Sequence, residues 1–226
     1  MLSPMRVPYV GYGLIRGIRN AGLVTILSAA VVYAEPVTVA AMGDSLTQGY
    51  GLPADQGFVP QLSRWLETQG TDVQLINAGV SGDTTAGGLS RIDWTLTEDV
   101  DALIVALGGN DLLRGIDPTV SRANLDGILK VATERGLPVL LVGMDAPANY
   151  GADFERAFDS MYQELAKAYG ALYHPNFLGA IAAQEDRVAA LRDFMQGDGI
   201  HPNAQGVALI VEDLGPEVLK LISHSE

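Results

Sequence analysis

Short apolar runs rich in branched residues recur along this chain, each followed by a longer stretch with helical spacing. The runs cover residues 37–42, 73–77, 102–107 and 138–143, with a weaker one at 171–173. Runs this short and this unbroken read as strands buried on both faces. Between them, residues 58–69 space Phe58, Leu62, Trp65 and Leu66 as a helix would, and residues 84–99 do the same with Leu89, Ile92, Trp94 and Leu96. Asp117-Pro118 opens the next helix, with aspartate as N-cap and proline in the first helical position; it runs to about Arg135 and stops at Gly136. Residues 153–169 follow, with Phe154, Phe158, Met161, Leu165 and Ala168 facing inward. Asn203 caps a final helix that Gly215-Pro216 breaks or restarts. This alternation, with short connections, predicts an α/β domain: one parallel sheet of about five strands with helices on both faces.

In such sheets, ligands bind beyond the carboxyl ends of the strands. Four polar, glycine-rich segments fall there: 43–51, 78–84, 108–115 and 144–151. The first contains Gly43-Asp44-Ser45-Leu46-Thr47 at a strand-to-helix turn. A serine there exposes its hydroxyl at the sheet edge, and its own N–H, near a helix start, can face a developing oxyanion. The plainer alternative is that Ser45 only caps the helix. Near the C-terminus stands Asp198-Gly199-Ile200-His201-Pro202. Asp198 is within reach of the His201 ring, where it would fix the tautomer and leave the other ring nitrogen for Ser45. Pro202 restricts His201 to extended backbone. Alternatively, Asp198 and Gly199 only form a turn.

Two further segments supply donors. Asn110, in Gly108-Gly109-Asn110-Asp111, carries an amide able to hold an oxyanion, although the segment also reads as an ordinary turn. Gly82, in Ser81-Gly82-Asp83-Thr84, offers a backbone N–H at a helix start, with Asp83 as the expected cap of that helix. The remaining histidines, His174 and His224, read as structural or incidental. No histidine pair has metal-ligand spacing and the chain has no cysteine, so neither a metal site nor a disulfide is expected. Neither a dinucleotide-binding glycine motif, nor a P-loop, nor the G-x-S-x-G elbow occurs.

A formal net charge of −13 over 226 residues disfavours nucleic acid and anionic membrane surfaces as partners. Residues 1–34 read as a cleaved signal peptide. Arg6, Arg16 and Arg19 precede an apolar stretch at 21–34 that ends in Val32-Tyr33-Ala34, with no acid before Glu35. That stretch falls short of the ~20 residues a membrane-spanning helix needs. The expected domain therefore covers 35–226, in a periplasmic or secreted protein without a stable membrane anchor.

The blocks Gly43-Asp44-Ser45-Leu46, Gly82, Gly108-Gly109-Asn110-Asp111 and Asp198-Gly199-Ile200-His201-Pro202 resemble, in order, the four blocks of the SGNH (GDSL) hydrolase family. Residues 77–84, 108–115 and Pro147-Ala148-Asn149-Tyr150-Gly151 are similar to its periplasmic acyl-CoA thioesterase/lysophospholipase/arylesterase branch. The resemblance implies a flavodoxin-like three-layer α/β/α sandwich and no cofactor. It also implies a monomer acting on small-molecule esters or thioesters. By the same resemblance Ser45 is the nucleophile and Asp198 and His201 complete the triad. Ser45 N–H, Gly82 N–H and Asn110 line the oxyanion hole. Leu112 and Leu113, in a segment that resembles that branch's mobile substrate loop and equally reads as a short apolar turn packed on the core, and Asp145, Ala146 and Pro147 flank the acyl groove. Asp145 and Ala146 depart from a relative that carries arginine and leucine there. A carboxylate at that place is expected to weaken binding of anionic thioesters, and a smaller wall to change the preferred acyl length. Two alternatives stand beside this reading: a carbohydrate O-acetylesterase on the same scaffold, and a non-catalytic periplasmic binding domain.

Overall fold

A computed structural model describes residues 36–225. The expected signal peptide, residues 1–34, lies outside them. Five strands are present: β1 (Val37–Gly43), β2 (Val73–Gly79), β3 (Ala102–Ala106), β4 (Val139–Val142) and β5 (Leu172–His174). They form one parallel sheet in the order β2-β1-β3-β4-β5, which is the flavodoxin-like order. Each expected strand is therefore present, the weak fifth one as a short edge.

The helices among the described residues are α1 (Ser45–Gln48), α2 (Phe58–Thr68), α3 (Thr85–Thr95), α4 (Gly109–Arg114), α5 (Pro118–Glu134), α6 (Ala152–Tyr169), α7 (Gly179–Ala182), α8 (Arg187–Phe194) and α9 (Ala204–Ser223). Side chains alternate across the strands, so the sheet separates two cores. Val39, Ala41, Ile104, Leu140 and Val142 face one core with Phe58 and Leu62 of α2 and Leu214 and Val218 of α9. Ala40, Met42, Leu103, Val105 and Leu141 face the other, with Ile92 of α3, Leu125 of α5 and Phe158 and Met161 of α6. A helical layer on each face of the sheet completes the three-layer sandwich.

Caps follow the sequence signals in part. Asp117 accepts from Thr119 N–H and Asn203 from Gln205 and Gly206 N–H, as expected. Asp83 does not cap α3: Thr84 does, accepting from Gly87 N–H, while Asp83 pairs with Arg91 at 2.7 Å. Gly82 accordingly sits in a turn ahead of α3 and not at its start. Trp94 is 86% exposed and belongs to no core, because α3 turns Ile92 inward in its place. On α6 the inward set is Phe158, Met161, Tyr162, Leu165 and Ala166; Ala168 is exposed. Gly215-Pro216 does not break α9, which runs through both residues. The short helices α1, α4, α7 and α8 have no strong periodicity in the sequence; α1 and α4 follow β1 and β3 directly and carry the residues of interest.

Candidate active site

Chain direction reverses about β1 and β3. The connection from β1 leads to β2 on one side, and the next strand, β3, pairs on the other. A crevice opens at such a switch point, outside the strand ends. Ser45 follows β1 as the first residue of α1, and Asn110 follows β3 in the first turn of α4.

Ser45 and His201, 156 residues apart, meet here: His201 Nε2 lies 2.9 Å from Ser45 Oγ. The other ring nitrogen, Nδ1, lies 2.6 Å from Asp198 Oδ2. An ionised carboxylate only accepts, so Nδ1 carries the proton and Nε2 is left to accept from the Ser45 hydroxyl. Asp198 Oδ1 also accepts from the N–H groups of Ile200 and His201. The bond from the His201 ring, followed by these two, lowers the Asp198 carboxyl to about 2. It stays ionised and holds the ring through this bond.

The histidine loop is docked onto the nucleophile loop by Gln196. Its Nε2 donates to the carbonyls of Tyr50 and Pro202, and its backbone N–H to His201 O. The Tyr50 ring packs against the His201 ring with centroids 4.7 Å apart. Nothing in the sequence marks Gln196 as this link, because Tyr50, the partner on the nucleophile loop, lies 146 residues away.

Asp44 caps α1, its Oδ1 accepting from Leu46 N–H, while Oδ2 accepts from Asn110 Nδ2 at 3.1 Å. One N–H of the Asn110 amide is thereby fixed and the other left for a ligand. Burial raises the Asp44 carboxyl, and the bonds from Leu46 and Asn110 oppose that rise. The turn into α4 is held from behind by buried Asp111, which accepts from Thr85 N–H at 2.8 Å, Thr85 Oγ1 at 2.6 Å and Ser121 Oγ at 2.8 Å. Gly108 begins that turn at φ 129°, and a Cβ there would come 2.0 Å from Tyr162 Oη, so no side chain fits.

Ser45 N–H belongs to the first turn of α1, where no intrahelical acceptor exists. Gly82 has φ 83°, its N–H donates to no described protein group, and Arg114 Nη2 donates to its carbonyl at 2.7 Å. Leu112 and Arg114 are helical, and Gly115 closes α4 in the left-handed conformation. Tyr150 Oη donates to Leu112 O, tying this segment to the loop after β4.

A cavity of about 630 Å³ opens at Ser45. Its wall includes Asn110 and every residue expected at the acyl groove: Leu112, Leu113, Asp145, Ala146 and Pro147. Gly82 is not among its lining residues, and the sequence reading missed a second wall made by Leu178, Ala182, Arg187, Met195 and Ile200. Asp145 accepts from Asn176 Nδ2 at 2.6 Å. His174 is buried, 3.4 Å from Asp213 and away from the cavity. No group of three or more histidine, aspartate or glutamate side chains among the described residues is arranged to hold a metal.

A flavodoxin-like sheet with a hydrogen-bonded Ser–His–Asp series at its carboxyl edge has the architecture of a serine-dependent hydrolase. Comparison with known proteins shows the family. Residues 41–209 match the GDSL-like lipase/acylhydrolase family. The chain is 37% identical to the esterase TesA of Pseudomonas aeruginosa over 186 residues, covering 82% of this chain and 89% of that protein. It is 32% identical to the thioesterase 1/protease 1/lysophospholipase L1 of Escherichia coli K12, covering 83% and 86% respectively. Among solved structures, the SGNH-hydrolase family esterase AlinE4 superposes with a TM-score of 0.67 at 42% identity, over 83% of this chain and 97% of that one. The chain belongs to the GDSL-like lipase/acylhydrolase family, and it is an ester hydrolase.

Proposed function

We propose that this hydrolase cleaves carboxylic esters or thioesters through an acyl-enzyme on Ser45, with His201 and Asp198 completing a triad. The observation that carries the reading is the unbroken series from Asp198 Oδ2 through His201 to Ser45 Oγ, at 2.6 Å and 2.9 Å, opening onto the cavity. Ser45 Oγ attacks the carbonyl carbon as its proton passes to His201 Nε2. The oxyanion that forms is held by Ser45 N–H, the free N–H of Asn110 and Gly82 N–H. The C–O or C–S bond then breaks, and His201 returns the proton to the leaving oxygen or sulfur. Water attacks the acyl-serine with His201 again as base, which releases the acid and restores Ser45.

Leu112, Leu113, Ala146 and Pro147 give the cavity an apolar side suited to an acyl chain longer than acetyl. That favours this reading over a carbohydrate O-acetylesterase, which needs an open polar cleft. Residues 1–34 act as the export signal, so the enzyme works in the periplasm or the medium; the basic start and apolar stretch of the sequence support this. No helix among the described residues is long and apolar enough to cross a membrane.

The test is hydrolysis of p-nitrophenyl esters from acetyl to palmitoyl by the wild type and Ser45→Ala. Expected is turnover with an optimum beyond acetyl that disappears in the variant. Activity that survives in Ser45→Ala overturns the nucleophile, and an acetyl-only profile moves the assignment to the acetylesterase.

A further inference from the structure

The second wall of the cavity carries a charge the mechanism does not use. Other described arginines spend their guanidinium on protein oxygens, from Arg64 on the carbonyl of Asp55 to Arg192 on the carboxylate of Asp193. Arg187 alone among the described arginines makes neither an ion pair nor a hydrogen bond, in a chain with 27 acids against 14 bases. It is also the one arginine that lines the cavity holding Ser45. Its sequence neighbour Asp186 is turned to the helix end, where Oδ1 accepts from the N–H groups of Val188 and Ala189.

Arg187 also borders a second space. An annex of about 210 Å³ shares Leu178, Ala182, Arg187, Met195 and Gly199 with the main cavity and is otherwise closed by Ile181, Ala190 and Leu191. Among the described residues, Arg187 is the one charged residue that lines it. A molecule reaching from Ser45 to this place meets apolar wall on the way and, where the two spaces join, the exposed and unpaired Arg187.

We infer that Arg187 is a specificity-determining residue that selects esters carrying an anionic group, carboxylate or phosphate, joined to the reacting carbonyl through an apolar segment. The inference rests on the ester-hydrolase reading and names its substrate class. A guanidinium offers both oxyanions a planar fork of donors, which a lysine does not reproduce. A local cation is needed for such substrates because the net charge of −13 repels them at a distance. Asp145, on the same cavity, works against them at short range.

The experiment uses matched esters with and without the anion. On the acyl side, p-nitrophenyl octanoate is compared with its ω-carboxylate counterpart. On the leaving-group side, phenyl octanoate is compared with 4-(octanoyloxy)phenyl phosphate. In Arg187→Gln, kcat/KM on the carboxylate or the phosphate ester is expected to fall about tenfold, mainly through KM, while the neutral esters stay within about twofold. Arg187→Lys is expected to restore part of the loss, and added salt to weaken the wild-type preference for the anionic ester. Which ester responds identifies the oxyanion and the side of the bond it lies on. An equal change on neutral and anionic esters, or no change on either anionic one, overturns the role. Absence of wild-type turnover on the neutral esters instead overturns the ester-hydrolase reading itself.

Discussion

Asp198 and Asp44 both flank His201, yet their surroundings push them in opposite directions. Asp198, on an exposed turn, gathers the His201 ring and two N–H groups and is held at about 2. Asp44 is buried with two donors and is raised, burial outweighing the bonds. The sign of each contribution to stability follows from linkage. A lowered carboxyl binds its proton less tightly folded than unfolded, so its stabilisation is complete above the unfolded value near 4 and is lost as pH falls through about 2. A raised carboxyl does the reverse: the contribution of Asp44 is present below the unfolded value and lost as pH rises through its folded one. Asp198→Asn is therefore expected to be less stable than the wild type at neutral pH, with the gap closing as pH drops toward 2. Denaturant midpoints across a pH series check this, and a pH-independent gap removes the ionised pair as its source. The same variant is expected to fold yet lose roughly 10³–10⁴-fold in kcat, because an amide cannot hold the ring in the required tautomer. At this scale the sequence was legible where partners are near in the chain: Asp198 and His201 are three residues apart and one turn joins them. Gln196 and Arg187 were not legible, since a glutamine or an arginine alone says nothing about which loop it will face.

Helix α9 is where an element departs from its local signals. Gly215-Pro216 is expected to break a helix, and proline in a helix interior costs about 3 kcal/mol. The helix continues because its apolar stripe extends on both sides of the pair, with Val207, Ile210, Val211 and Leu214 before it and Val218, Leu221 and Ile222 after it, all buried. Gly215 lies directly against the Trp65 ring, where a Cβ would come 2.7 Å from its carbons. Pro216 itself is exposed, so its missing N–H opens toward solvent. Tertiary burial overrides the propensity, and its cost is retained. Pro216→Ala is accordingly expected to stabilise the protein by about 1–3 kcal/mol and raise Tm with kcat unchanged. A lowered Tm in thermal unfolding would mean that the proline ring is itself needed at this position. Trp94 teaches the same lesson in reverse: its spacing fits a helical face, yet the face that meets the core is set by what α3 packs against.

The whole molecule is one sheet carrying two cores. Phe58 fills one and Phe158 the other, both completely buried. Since every strand facing one core also faces the other, neither layer can lose its packing alone. Phe58→Ala and Phe158→Ala are each expected to cost about 3–5 kcal/mol and to lower a single transition. Near-UV circular dichroism and tryptophan fluorescence should then melt together, and separated transitions would mean the layers unfold independently. At this scale, too, the net charge of −13 sets the field around the molecule, and the role proposed for Arg187 opposes that field at contact. The alternation of strand and helix, the strand-end loops and the spacing of Asp198 to His201 were determined by the sequence alone, because each depends on neighbours within a turn or a strand. Only the tertiary structure decided the strand order β2-β1-β3-β4-β5, the meeting of Ser45 with His201 across 156 residues, and the second wall from α7 and α8. Those depend on which distant surfaces exclude water together, and no local pattern in the chain records that choice.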